Sequence, residues 1–289
     1  MARRARPLPP PASESLIGVL RCGGFLLPLD RPLLMGVVNV TPDSFSDGGQ
    51  FLDAQAAIAH AKRLIDDGAD ILDIGGESSR PGAQAVAEAD ELARVLPVLK
   101  AVKNFPVSVD TRRPSVMRTV LAEGASMIND IEALEAPGAL DAVADTDCAV
   151  CLMHKQGEPA TMQKDPTYGD VVGEVKQYLT TRIAACEIAG IERDRITIDP
   201  GFGFGKTVEH NFGLLKRLPE LAALGVPVLA GWSRKSTLGT VTGRPVTERL
   251  AASLAAALLA VQHGATILRV HDVRETRDAL AVMQALGKA

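Results

Sequence analysis

The sequence has no excess of positive charge and no apolar segment long enough to cross a membrane. Its 289 residues carry a formal net charge of −4, so neither a nucleic-acid-binding surface nor a membrane partner is expected. The longest apolar run, Leu250–Val261, is interrupted by Ser253 and is shorter than a bilayer-spanning helix. Residues 1–14 are basic and proline-rich and lack an apolar signal-peptide region, so they are predicted to form a disordered tail.

Cysteine is also scarce, with four residues in the whole chain. Cys148 and Cys151 have the spacing of a redox or zinc motif, but they lie in an apolar stretch that is typical of a buried strand. Side chains three positions apart on a strand point to opposite faces, so we interpret both cysteines as small core residues. This interpretation favours a reducing, cytoplasmic location.

The segment ITIDPGFGFGKT at residues 196–207 resembles two nucleotide-binding motifs but completes neither of them. A phosphate-binding P-loop requires a glycine where Pro200 stands, and the dinucleotide fingerprint requires one where Lys206 stands. What remains is a strand that ends at Asp199 and a glycine-rich loop. From this stretch alone, the loop is either a simple strand-to-helix turn or a device that presents Asp199 to a ligand.

A repeated unit indicates the architecture. GADILD at 68–73, GASMIN at 124–129 and GATILR at 264–269 align position by position, each after an amphipathic helical stretch. The glycine is typical of a helix C-terminal cap, and the apolar run after it is typical of a buried parallel strand. With five similar segments elsewhere, the chain contains eight alternating strand and helix units. We predict an α/β fold, a single (β/α)8 TIM barrel over residues 15–289, with an open doubly wound sheet as the alternative.

Residues Ser15–Asp30 are predicted to form a β-hairpin, with Cys22-Gly23-Gly24 as its turn, that closes the bottom of the barrel. Leu250–Val261 is apolar almost all round, although an outer barrel helix normally has a polar face. We therefore expect a homodimer that forms through this helix and the one after it.

Polar residues follow the predicted strands at the end where the active sites of such barrels lie. They are Asn39, Asp73, Asp110, Asn129, His154, Asp199, Lys235, Arg269 and His271. Carboxylates and amides beside a lysine suit a neutral heterocycle with several donors and acceptors, whereas Asn39, Arg269 and His271 suit an anion, with or without a metal. A helix predicted at Ser233–Leu238 adds free N–H groups for a carboxylate or phosphate.

A series of motifs resembles those of one enzyme family. NVTPDSFSDGG at 39–49 resembles the first signature of the dihydropteroate synthases, and GGESSRPGA at 75–83 resembles their second loop. SVDT, IND, LMH, DPGFGFGK, SRKS and RVHDV follow in family order, the last at 269–273. The resemblance extends from Leu33 to the C-terminus. Ser79 departs from it by standing where many members have threonine.

The resemblance implies an activity and a substrate pair. Members of the family join 6-hydroxymethyl-7,8-dihydropterin pyrophosphate to p-aminobenzoate and release pyrophosphate, a step of folate biosynthesis that sulfonamides inhibit. A folate-dependent methyltransferase module, which shares the pterin-binding barrel, and a non-catalytic pterin-binding paralogue are the alternatives.

The resemblance also implies roles for individual residues. It places the pterin in a pocket that includes Asp110, Asn129, Met153, Asp199, Phe204 and Lys235. Asn39 is the implied Mg²⁺ ligand, and Arg269 and His271 are the implied pyrophosphate ligands. The p-aminobenzoate carboxylate is assigned to Ser236 and the helix that follows it. Two loops are expected to contribute Phe45, Asp47, Ser79, Arg80 and Pro81. The implied catalytic residues are Asp47, Arg80, Lys235, Arg269 and His271.

Overall fold

Ten strands and ten α-helices occupy the part of the chain that the structure, a computed structural model, describes: residues 18–40, 49–77, 86–157, 161–162 and 164–286, with the backbone only at 49–53. The strands are β1 Val19–Cys22, β2 Phe25–Pro28, β3 Leu33–Asn39, β4 Ile71–Gly75, β5 Val107–Asp110, β6 Met127–Asp130, β7 Ala149–Met153, β8 Ile196–Asp199, β9 Leu229–Ala230 and β10 Ile267–Val270. The predicted tail at residues 1–14 lies outside the described ranges.

Helices separate the strands from β3 onwards. They are α1 Gly49–Asp66, α2 Glu88–Val102, α3 Pro114–Ala122, α4 Ala139–Ala144, α5 Val171–Ile188, α6 Val208–Lys216, α7 Leu218–Ala222, α8 Ser236–Thr242, α9 Leu250–Gln262 and α10 Val273–Leu286. Among these described helices, none combines the length and the apolar character needed to span a bilayer.

The eight strands β3 to β10 form one parallel sheet that closes on itself. Neighbouring strands pair in the order β8-β7-β6-β5-β4-β3-β10-β9. The two ends of this order meet at a bridge between Ile198 and Val228, where the Ile198 N–H donates to the Pro227 carbonyl at 3.0 Å. The predicted (β/α)8 barrel is therefore confirmed, and the alternative of an open sheet is wrong.

The recurring glycines end helices as predicted. Gly68, Gly124 and Gly264 have φ values of +100°, +104° and +101°, a left-handed conformation that glycine adopts without a steric cost and that is common after a helix. One detail differs from the prediction, because β4 continues to Gly75. Asp73 therefore lies two residues inside its strand rather than at its end.

Side chains alternate between the barrel interior and the layer between strands and helices. The inner cluster includes Met35, Ile71, Met127, Cys151 and Ile267, and the hairpin β1–β2 adds Leu20 and Cys22 to it. The Gly23 N–H also donates to the Asp147 carbonyl at 3.0 Å. The hairpin thus covers the N-terminal end of the barrel, as the sequence predicts.

The CxxC pair behaves as an ordinary part of the core. Cys148 belongs to the outer cluster and Cys151 to the inner one, so their side chains lie on opposite faces of the sheet. Both thiols are buried and neither forms a disulfide. Burial raises the pKa of each thiol above its ordinary value, which makes the reactive thiolate less accessible.

Candidate active site

Several inward-facing positions at the C-terminal ends of the strands are polar. The strand register pairs Asn39 with Gly75, Gly75 with Asp110, and Asp110 with Asn129, so these residues lie in one row around the barrel. Asp199 pairs with Met153 across β7 and β8 in the same way. Alternation along each strand thus directs predicted site residues from several strands into one mouth.

Arg269 is the centre of the best-defined cluster in this mouth. Its Nε donates to Asp73 Oδ2 at 2.6 Å, and its Nη2 donates to Asp110 Oδ2 at 3.2 Å. Asn129 Nδ2 donates to the same Asp73 oxygen at 3.3 Å. The sequence had placed Arg269 with Asn39 and His271, so its pairing with two carboxylates is a finding of the structure.

Two acceptor atoms of this cluster, Asp73 Oδ1 and Asn129 Oδ1, are buried and have no hydrogen-bond partner among the described residues. Buried polar atoms in folded proteins are nearly always hydrogen-bonded, and an unpaired one is costly. The cluster therefore fits a ligand that brings N–H donors into the barrel.

Burial and neighbouring charge shift the titration of these groups. Burial, with the charge of Asp73, raises the pKa of Asp110 to about 7, and Arg269 partly opposes this shift. Burial also raises the pKa of Asp199, against the N–H of Gly201 and the charge of Lys235. For Arg269, burial disfavours the cation, but Asp73 and Asp110 outweigh it and raise the pKa of the guanidinium.

The loop after β8 brings Asp199, Phe204 and Lys235 together. The N–H of Gly201 donates to Asp199 Oδ1 at 2.7 Å, and Lys235 Nζ lies 4.1 Å from the centre of the Phe204 ring, a cation–π contact. A Cβ on Gly203 would lie 3.2 Å from Lys235 Cδ, so the glycine permits this close approach. The stretch ITIDPGFGFGKT is therefore part of the mouth and presents Asp199.

Asn39 lies at the same rim, because a Cβ on Gly75 would lie 3.8 Å from Asn39 Oδ1 and 3.7 Å from Asp110 Cβ. Its amide oxygen is a hard donor of the kind that Mg²⁺ accepts. Within the described ranges, the structure contains no group of three or more His, Cys, Asp or Glu side chains arranged for a metal ion.

His271 and Ser236 lie beside the segment between β9 and α8. His271 Nδ1 is 3.0 Å from Ser233 Oγ, which also accepts from the His271 backbone N–H. Helix α8 begins at Ser236, three residues later than predicted. The reason is local: Arg234 has a φ of +59°, which a helix cannot include. Ser236 is exposed at the first turn of α8.

Two residues have contacts that the sequence did not indicate. Asp73 has no role in the resemblance, although it occupies the same position after a cap glycine as Asn129 and Arg269 do. Lys206 is buried and bonds to His154. His154, which the sequence placed on the rim, belongs with Lys206 and the aromatic rings of Tyr168 and Tyr178. Phe45, Asp47, Ser79, Arg80 and Pro81 lie outside the described residues.

The fold and the site together define a barrel enzyme with a polar, partly buried small-molecule site at its mouth. The family model described as pterin-binding enzyme matches residues 35–271. The dihydropteroate synthases of Neisseria meningitidis and Escherichia coli are 53% and 50% identical to this chain, over 93% and 91% of its length and 98% and 94% of theirs. The chain belongs to the pterin-binding enzyme family and, within it, to the dihydropteroate synthases, which are transferases.

Solved structures show the same similarity. The dihydropteroate synthase of Xanthomonas albilineans with 4-aminobenzoic acid is 55% identical, with a TM-score of 0.89 over 94% of this chain and 99% of that one. The same enzyme in complex with 7,8-dihydropteroate is 52% identical, with a TM-score of 0.86 over 94% of this chain and 99% of that one. The Yersinia pestis enzyme with a sulfonamide drug is 45% identical, with a TM-score of 0.89 over 94% of this chain and 100% of that one.

Proposed function

We propose that this protein joins 6-hydroxymethyl-7,8-dihydropterin pyrophosphate to p-aminobenzoate, forming 7,8-dihydropteroate and releasing pyrophosphate. The observation that carries the proposal is the buried Asp73–Arg269–Asp110–Asn129 cluster, with its unpaired acceptors, in a chain whose relatives with this activity match it over almost their whole length.

The pterin is held inside the mouth by Asp110, Asn129, Asp199 and Lys235. The 2-amino and ring N–H groups of a pterin are donors, and carboxylate oxygens accept them in short charge-assisted bonds. Lys235 supplies the donor for the carbonyl and ring nitrogen acceptors. Met153 and Phe204 provide apolar surface for the ring, and Phe204 is already held in place against the Lys235 ammonium.

Arg269 and His271 bind the pyrophosphate. A guanidinium carries five N–H donors, and the two carboxylates occupy one at Nε and one at Nη2. The others would bind phosphate oxygens, while Asp73 and Asp110 keep the group charged. His271, oriented by Ser233, donates from its second ring nitrogen.

Mg²⁺ fits the Asn39 side of the mouth. Asn39 Oδ1 would hold the ion from the protein side, and pyrophosphate oxygens would be the other hard donors that such a metal prefers. When bound, the ion neutralises negative charge on the leaving group.

The chemistry breaks the bond between the pterin CH₂ and the pyrophosphate oxygen and forms a bond from that carbon to the arylamine nitrogen. The electron-rich pterin stabilises a loose, cation-like transition state. Arg269 and His271 stabilise the charge that develops on the leaving group. The aniline attacks as a neutral amine and then loses one proton, so a strong base is not required.

The p-aminobenzoate carboxylate is bound by Ser236 and the first turn of α8, with Phe45, Ser79, Arg80 and Pro81 around it and Asp47 and Arg80 at the reacting atoms. Sulfonamides compete for this site.

The enzyme acts in the cytoplasm. It forms a homodimer through α9 and α10, where Leu250, Leu259, Val282 and Leu286 are exposed.

Pyrophosphate release measured in four mixtures tests the proposal: both substrates, each substrate alone, and neither. Release that requires both substrates is expected. A pterin-binding paralogue binds the pterin without release in any mixture, and a methyltransferase module likewise releases no pyrophosphate. Either of those outcomes would contradict the proposed function.

A further inference from the structure

Lys206 is a buried cation that the proposed reaction does not use. Its side chain is almost fully enclosed, with the residue only 3% exposed. Among the described residues, no carboxylate lies within ion-pair distance of its Nζ; the ammonium instead faces oxygen and nitrogen acceptors of the main chain and one histidine. Burying an ammonium is expensive, and burial lowers the pKa of Lys206 to about 7, with Asp199 opposing and Lys235 adding to this shift.

The contacts of Lys206 join two separate segments. Its Nζ donates to the carbonyls of Gly201 and Phe204, both at 3.0 Å, on the loop after β8. It also donates to the carbonyl of His154 at 3.2 Å and lies 3.1 Å from His154 Nδ1, beyond the end of β7. Burial and the charge of Lys206 lower the pKa of His154 to about 3, so this imidazole is neutral, and its Nδ1 shares the three ammonium protons with the three carbonyls.

The two segments are also in direct backbone contact at glycines. A Cβ on Gly201, whose φ is +69°, would lie 1.9 Å from the His154 carbonyl oxygen. A Cβ on Gly205, whose φ is +60°, would lie 2.3 Å from the Gln156 carbonyl oxygen. The loop therefore lies directly on the chain after β7, and Lys206 bonds across this contact.

The two loop residues whose carbonyls bond to Lys206 are Gly201 and Phe204, and both contact residues of the predicted pterin pocket. Gly201 donates its N–H to the Asp199 carboxylate at 2.7 Å, and Phe204 places its ring 4.1 Å from Lys235 Nζ. One ammonium thus fixes the peptide that orients Asp199 and the residue that packs on Lys235. We propose that Lys206 is a positioning residue, which ties the loop 200–205 to the end of β7 and thereby sets the pterin pocket.

This proposal rests on the proposed function for its kinetic test. In Lys206→Met, the KM for the pterin substrate is expected to rise about tenfold or more, because the loop loses its charged hydrogen bonds. The KM for p-aminobenzoate at saturating pterin should change less than about twofold. If Lys206 only stabilised the fold, its replacement would reduce the fraction of folded, active enzyme. The apparent kcat would then fall, and both KM values would stay unchanged. Lys216→Met, at an exposed lysine on α6, is the matched control.

A second measurement does not depend on the reaction. Backbone hydrogen exchange at residues 201–205 should accelerate in Lys206→Met and stay unchanged in Lys216→Met. If Lys206→Met does not fold, His154→Ala removes one acceptor and keeps the lysine, and a smaller change in the same two quantities is expected. An unchanged pterin KM, or unchanged exchange at 201–205, would overturn the proposal. Failure of the wild type to release pyrophosphate would instead overturn the proposed function, and the exchange test would still decide the role of Lys206.

Discussion

Replacing Asp73 with asparagine should destabilise the protein and change the titration of its neighbour. Asp73 is fully buried and accepts the 2.6 Å hydrogen bond from Arg269 Nε, while the Arg269 side chain is 21% exposed. Asp73→Asn keeps the shape but leaves Arg269 with Asp110 as its only carboxylate partner among the described residues.

The expected loss follows from the burial of the pair. Breaking a buried ion pair by removing one partner costs about 3–5 kcal/mol. Because Asp110 still bonds Arg269 at 3.2 Å, we expect the free energy of unfolding to fall by about 2–4 kcal/mol, which lowers Tm by roughly 5–10 °C. The control is Glu248→Gln, in a pair whose side chains are 64% and 54% exposed, where the loss should be about 0–1 kcal/mol.

Urea denaturation and thermal melts of the three proteins measure these losses. The charge of Asp73 also contributes to the raised pKa of Asp110, so the pKa of Asp110, followed by carboxyl NMR, should be lower in Asp73→Asn. An Asp73→Asn protein as stable as the Glu248→Gln control, with Asp110 titrating as in the wild type, would refute the assignment of Asp73 as the buried partner of Arg269.

Four further predictions concern binding and assembly. Lys235→Ala should weaken pterin binding about 10–100-fold with an unchanged Tm, and near-wild-type turnover would contradict its assignment. Because a carboxylate accepts N–H groups and a protonated carboxyl blocks one oxygen, pterin affinity should rise as pH rises through about 7, the pKa of Asp110; calorimetry should find this dependence missing in Asp110→Asn. Light scattering at micromolar concentration should give a dimer mass, and Leu259→Glu, at an exposed position of α9, should give a monomer; a monomeric wild type would rule out the interface. A sulfonamide should bind tightly only once pterin and Mg²⁺-pyrophosphate are present, because its predicted site adjoins the pyrophosphate ligands; equal affinity without them would show a preformed pocket.

The place of several candidate site residues in the barrel was predictable from the sequence. Their position after an apolar run placed Asp110, Asn129, Asp199 and Arg269 at one end of a barrel, with the repeated cap glycine as a further mark for Asn129 and Arg269, and in the structure these side chains face the barrel interior. The prediction succeeded because the strands of a (β/α)8 barrel are parallel. Polar residues that follow the apolar run of each strand therefore meet at the same end of the barrel.

The contacts between these residues were not predictable in the same way. Asp73 and Arg269 are 196 positions apart, and only the closure of the barrel brings them within hydrogen-bond distance. The contact of Lys206 with His154 is likewise tertiary. The sequence around Lys206 does not indicate this contact, because it resembles an incomplete phosphate loop. The start of α8 depends on the left-handed conformation of Arg234, which no local pattern indicates.

The central claim is that the barrel mouth joins a pterin to an arylamine with loss of pyrophosphate. Mass spectrometry of a reaction that contains both substrates, Mg²⁺ and the purified protein tests it most directly. We expect 7,8-dihydropteroate and pyrophosphate in equal amounts, and much less of both products with Asp110→Asn at the same substrate concentrations. Pyrophosphate without dihydropteroate, or the absence of both products with the wild type, would contradict the account.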